Sequence, residues 1–165
     1  MHPHTSHTSH TLYKLMAKFI GEYKAKVDDK GRIVFPSAFK AGFDPEQELK
    51  FVVKKSLYSN CLEMYTYQQW EADSEALRSR LNFFKREHDT FWREYMRDTA
   101  EVAPDGKIGR ILIPKNLLEK VGVGVGTEVI FSGSNHFIEI WPKDEFEARK
   151  MSPEAFVALA ESIFG

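Results

Sequence analysis

The sequence holds a single cysteine, Cys61, among its 165 residues, so neither an intrachain disulfide nor a cysteine-based zinc cluster can form, and a reducing compartment is the simple expectation. Long apolar runs are missing as well. No stretch approaches the roughly 20 residues that span a bilayer, and the N-terminus has no apolar core of the secretory type, which predicts a cytoplasmic protein without a membrane partner. An excess of either charge is also lacking, since 23 Lys and Arg stand against 24 Asp and Glu for a net of −1. Such a chain has no global pull on polyanions. Any nucleic-acid contact must therefore be built from a local patch. Catalytic signatures are absent in turn: there is no P-loop, no H-E-x-x-H and no C-x-x-C. The glycines Gly122, Gly124 and Gly126 follow a helical segment instead of a strand, so they read as a loop and not as a dinucleotide fingerprint. No enzyme, metal, cofactor or small-molecule substrate is expected.

What the chain does contain is a repeat. Asp28 to Pro36 reads D-D-K-G-R-I-V-F-P, and its second half returns 78 positions later as G-R-I-L-I-P from Gly109 to Pro114. In each copy a glycine precedes an arginine, three apolar residues follow, and a proline stops the run, the punctuation of a hairpin tip and its returning strand. The likeness continues downstream. C-L-E-M-Y from Cys61 matches F-I-E-I-W from Phe137, so that Glu63 corresponds to Glu139 and Trp70 to Phe146.

Taken in order, residues 1–15 are polar and carry His2, His4, His7 and His10. They read as a disordered leader ahead of Met16, with a weak metal-binding tract as the lesser alternative. A first unit is expected over residues 16–73. It has strands at 19–27, 32–35, 49–54 and 61–67, and a short helix after Pro36 capped by Ser37 and closed by Gly42. Residues 74–97 read as one long connecting helix, because Leu77, Leu81, Phe84, His88, Phe91 and Tyr95 recur in steps of four and three. His88 on that stripe is expected to be a hydrogen-bonded core or interface histidine rather than a ligand, and the arginines of the other faces to be a solvated surface rather than a nucleic-acid patch. A second unit over residues 98–150 repeats the plan, with Pro104-Asp105-Gly106-Lys107 as its turn. Residues 151–165 form a terminal amphipathic helix, Ser152 its cap and Phe156, Leu159, Ile163 and Phe164 its buried face, packed on the long helix, a neighbouring subunit or both.

A unit of about 50 residues exposes too much surface to stand alone. Two copies that exchange hairpins about a pseudo-two-fold axis would pair their edges and bring Ile33, Phe35, Ile111 and Ile113 into one interior. The fold class expected is α+β, mainly β: a swapped-hairpin barrel that sends both turns to one outward surface. The basic residues there are Lys30, Arg32, Lys107 and Arg110, supported by Asp28, Gly31, Asp105 and Gly109. An arginine beside a turn can hold a phosphate or the O6 and N7 of guanine, and a β-ribbon fits the major groove; it can equally pair with a local carboxylate and only hold the turn.

With both motifs in tandem and a helical segment between them, the chain resembles the MraZ transcriptional regulators from Phe19 to about residue 160. That resemblance implies a barrel of the AbrB/SpoVT type and a bacterial repressor of the cell-division and cell-wall gene cluster. It implies binding to tandem promoter repeats in double-stranded DNA, assembly into homo-oligomeric rings and association with the nucleoid. It also favours the DNA-gripping reading of Arg32 and Arg110. The family pattern D-x-x-x-R is met by Asp28 and Arg32, whereas Gly106 stands four places before Arg110 and Asp105 lies one residue too early. Either a bulged turn recovers the contact or the second site is weaker. Ile20 occupies a place where members often carry arginine. The main rival is a protein-interaction module such as a MazE-like antitoxin, although those have one hairpin unit and a disordered tail. Glu63 and Glu139 read as a repeated structural acid.

Overall fold

A computed structural model describes residues 18–165; the expectations for residues 1–15 and Met16 lie outside that range. Eight strands form in the order predicted: β1 (Glu22–Lys26), β2 (Arg32–Val34), β3 (Phe51–Lys55), β4 (Leu62–Thr66), β5 (Ala100–Val102), β6 (Arg110–Leu112), β7 (Glu128–Gly133) and β8 (Ile138–Pro142). The helices are α1 (Tyr67–Ser79), α2 (Arg86–Met96), α3 (Lys115–Lys120), α4 (Lys143–Ala148) and α5 (Pro153–Phe164), with a 3-10 turn at Ser37–Lys40. The class is α+β with antiparallel sheets.

Strand pairing crosses between the two units. One six-stranded sheet runs β1-β7-β8-β4-β3-β5, and a separate two-stranded ribbon joins β2 to β6. Each unit's first strand lies on the other unit's hairpin, β1 on β7 and β5 on β3. Where the units meet, repeat equivalents face each other: Ile33 is opposite Ile111 in the ribbon, and Glu63 is opposite Glu139 between β4 and β8. Among the described residues β1 and β5 remain edges of the six-stranded sheet, so a closed barrel is not formed by strand pairing.

Alternation along the strands decides the layers. Ile33 and Ile111 point inward from the ribbon and meet Phe35, Phe51, Val53, Leu62, Met64, Phe131, Ile138 and Ile140 in one buried cluster. Phe35 lies at its centre, with Phe51 at 5.2 Å and Phe131 at 6.2 Å between ring centroids. The opposite face of the sheet carries Lys54, Glu63, Tyr65 and Glu139, beneath Trp70 of α1 and Tyr95 of α2, whose rings stack at 5.9 Å.

Four local expectations need correction. The long helix over 74–97 is two helices, α1 and α2, separated at residues 80–85. There the Asn82 carboxamide accepts the Phe84 amide at 3.1 Å and the Asn82 amide donates to His88 Nδ1 at 2.9 Å. Asparagine thus satisfies the backbone locally and wins over the apolar periodicity, leaving Phe84 fully exposed. His88 is hydrogen-bonded as expected, but at this corner and not in a core. After Pro36 the 3-10 turn has no side-chain cap from Ser37, and it closes at Ala41 rather than Gly42. Ser152 does cap α5, accepting the Ala155 amide at 3.1 Å, yet Phe156, Leu159, Ile163 and Phe164 are uncovered by their own chain.

Candidate nucleic-acid interface

The β2–β6 ribbon is only three residues deep, and its register is set by the inward isoleucines. Because Ile33 faces Ile111, Arg32 is opposite Leu112 and Val34 is opposite Arg110. Side chains two apart on a strand share a face. Both arginines therefore stand on the outward face, diagonally across the ribbon, roughly 7–8 Å apart at the backbone.

The first turn is tightly organised by Asp28. One carboxylate oxygen accepts the Arg32 amide at 2.7 Å and the Lys30 amide at 3.0 Å; the other accepts Arg32 Nε at 3.0 Å. Gly31 takes a φ of +80°, which a side chain resists. This contact engages only the inner nitrogen of the guanidinium, so the two terminal nitrogens are not consumed by it. The Arg32 amide first, then the Lys30 amide and the Arg32 side chain, hold the Asp28 carboxyl below its ordinary value. The buttress is ionised across the neutral range.

The second turn is one residue longer and lacks that buttress. The backbones of Asp105 and Arg110 exchange two hydrogen bonds, at 2.8 and 2.9 Å, and Gly106 and Gly109 both take positive φ. The Asp105 carboxylate is spent on the Gly106 amide at 2.9 Å. Insertion of the extra residue thus preserves the register of Arg110 without restoring a carboxylate to its guanidinium. Lys40 supports this turn instead, donating from Nζ to the Ile108 carbonyl at 3.2 Å.

Lys30 and Lys107 are exposed at the two turns. Lys40 brings further positive charge to this side of the molecule, whereas Lys115, in the groove that Lys30 and Leu112 line, is paired with Glu119 at 3.8 Å, and Asp29 lines that groove as well. Sequence reasoning missed both lysines. Neither sits in the repeated motif, and no periodic signal ties them to the turns. Three arginines in and beside α1 and α2, by contrast, are engaged locally: Arg93 with Asp89 at 2.8 Å, Arg97 with Glu94 at 3.2 Å, and Arg78 over the rings of Phe83 and Trp92. These three belong to a solvated face whose charge is partly compensated within the helices.

The other polar cluster is structural in character. Lys54 is 6% exposed and lies 3.7 Å from Glu63, which also accepts the Tyr65 hydroxyl at 2.9 Å. Glu139 accepts Cys61 Sγ at 3.5 Å and Trp141 Nε1 at 3.4 Å. Burial lowers the Lys54 pKa, opposed by the Glu63 carboxylate. No group of three metal-ligating side chains is assembled among the described residues, and no helix there is long and apolar enough to cross a membrane.

Comparison with known proteins adds a family assignment. A family model described as "MraZ protein, putative antitoxin-like" matches residues 18–94 and again residues 95–158. The chain is 36% identical over 148 residues to the transcriptional regulator MraZ of Bacteroides fragilis, covering 90% of this chain and 92% of that one. It is 37% identical over 152 residues to its counterpart in Christiangramia forsetii, covering 91% and 95%. To that of Acetivibrio thermocellus it is 38% identical over 130 residues, covering 79% and 85%.

Proposed function

The chain belongs to the MraZ family, and on that premise we propose that it is a transcriptional regulator that binds double-stranded DNA in a sequence-specific way through the outward face of the β2–β6 ribbon. The observation that carries this reading is the placement of Arg32 and Arg110 together on one solvent-facing surface, with Asp28 presetting the first. A guanidinium held in one orientation loses less freedom when it meets a phosphate or a guanine edge. Lys30 and Lys107 neutralise phosphate from the flanking turns. The exchange of first strands between units supports a swapped-hairpin arrangement of the AbrB/SpoVT type, in which the ribbon forms one lid of the core.

A single ribbon offers few contacts, so useful affinity calls for several subunits on repeated sites, where linkage raises avidity without new chemistry. The apolar face of α5 suits that role. Phe156, Ile163 and Phe164 are 64%, 65% and 87% exposed on one chain, and covering them against other copies would yield a homo-oligomer, a ring if the contact closes. The target proposed is the tandem-repeat promoter of the bacterial cell-division and cell-wall gene cluster, with the protein acting there as a repressor in the nucleoid. A duplex from the promoter region upstream of this protein's own gene, tested against a scrambled duplex of equal length across a salt titration, decides the matter. Equal affinity for the two at every salt concentration would dismiss sequence-specific binding. In that event α5 would favour the second reading, a protein-interaction module of the antitoxin kind.

A further inference from the structure

The two arginines do not stand alone on the outward face of the ribbon. Val34 and Leu112 share it, 42% and 62% exposed, and they occupy equivalent places in the two repeats, two residues after each arginine. The register makes the four a square in which charge and hydrocarbon alternate: Arg32 beside Leu112, then Val34 beside Arg110. Isolated exposed aliphatics are ordinary on protein surfaces. A repeated pair interleaved with two guanidiniums on a surface three residues deep is a different case.

We propose that Val34 and Leu112 are specificity-determining residues that contact the C5-methyl groups of thymine in the major groove, next to the positions addressed by Arg32 and Arg110. This rests on the DNA-binding reading of the ribbon. The methyl of thymine is the one apolar group on the major-groove edge of the four bases, and the groove, about 12 Å wide, admits a two-stranded ribbon. Positions two apart on a strand are separated by roughly 6.6 Å, close to two steps of a duplex that rises about 3.4 Å per base pair. An arginine and the aliphatic that follows it thus suit a guanine or phosphate and a thymine within two steps of each other. Positive charge at Lys30, Lys107 and Lys40 around the square, together with the two guanidiniums, outweighs the nearby Asp29 and favours DNA as its occupant over an apolar protein surface.

The experiment uses the full chain and the promoter-region duplex in two forms, one with thymine and one with deoxyuridine throughout, which differ only in those methyl groups. The wild-type protein is expected to bind the deoxyuridine duplex about four- to sixteenfold more weakly, the factor for one or two methyl groups buried at about fourfold each. Leu112→Ser and Val34→Ser, changes at exposed positions, are expected to bind the thymine duplex more weakly and to show a reduced preference between the two forms. Equal affinity of the wild type for both duplexes would overturn the inference while leaving the DNA-binding reading intact. Variants that keep the full wild-type preference would overturn it too, as would variants whose weaker binding follows a change in particle size by light scattering. Binding of neither duplex above the scrambled control would remove both readings together.

Discussion

Glu63 and Glu139 stand directly opposite each other across the β4–β8 ladder, each the repeat equivalent of the other. Symmetry that places identical isoleucines together in the ribbon here places two like charges together, and the two units resolve the conflict differently. In the first, Lys54 is opposite Glu63 and partly neutralises it; in the second, the residue opposite Glu139 is Ser132. Glu139 relies on the Cys61 thiol and the Trp141 indole instead.

From this asymmetry, Glu63→Gln and Glu139→Gln should differ in sign. Glu63→Gln strands the buried Lys54 ammonium and is expected to cost about 3 kcal/mol, as when one partner of a buried pair is removed. Glu139→Gln keeps the acceptor for Trp141 Nε1 and presents its amide nitrogen to Cys61 Sγ, a weak acceptor, in place of the second oxygen, while relieving the facing charge, worth about 0.5 kcal/mol of added stability. Urea unfolding at neutral pH measures both. Equal destabilisation by the two variants would show that the facing carboxylates do not repel.

Arg32→Ala is expected to leave the fold intact and weaken binding to the promoter-region duplex by about tenfold or more, the loss of one well-held guanidinium contact. Asp28→Ala should lose a large part of the same amount, since it frees the Arg32 side chain. Arg110→Ala should lose less, because that arginine lacks a carboxylate to preset it. Affinities measured over a salt series would test the order, and a larger loss at Arg110 than at Arg32 would contradict it.

Cys61 is fully buried, and burial together with the Glu139 carboxylate pushes its thiol up to about 12. The folded chain should resist alkylation by iodoacetamide at pH 8.5 and react once unfolded in urea. A free thiol ionises near pH 8.5, so between about 8.5 and 12 the unfolded state binds fewer protons than the folded one, and stability falls as pH rises. Below about 8.5 the thiol contributes no pH dependence. In Cys61→Ala the alkaline decline should be shallower than in the wild type.

Deleting residues 151–165 is expected to reduce the mass of the particle in light scattering while the thermal unfolding of the remaining fold changes little. The reason is that α5 buries almost nothing against its own chain. A wild-type monomer at micromolar concentration would refute assembly through this helix.

Much of the architecture was legible because it was written twice. The glycine, arginine, apolar triplet and proline of each copy located β2 and β6, and the matching C-L-E-M-Y and F-I-E-I-W located β4 and β8 to within two residues. The interrupted helix was not legible: apolar spacing runs on through Leu81 and Phe84, and only the hydrogen bonds of Asn82 with Phe84 and His88 show the backbone turning there. In the site, the pairing of Asp28 with Arg32 was legible through the D-x-x-x-R pattern that the family resemblance supplied. Lys40 could not be placed at the second turn, 68 residues away.

Sequence alone, then, determined the repeated turns, the strands beside them and which residues alternate inward and outward, since these depend on neighbours a few positions apart. Only the tertiary structure decided that β1 joins β7, that β2 joins β6, and that the two arginines share one face with Val34 and Leu112. Those outcomes depend on burying Ile33 and Ile111 against a common core, and the partner of a strand edge is chosen by that shared burial rather than by the local pattern of either strand.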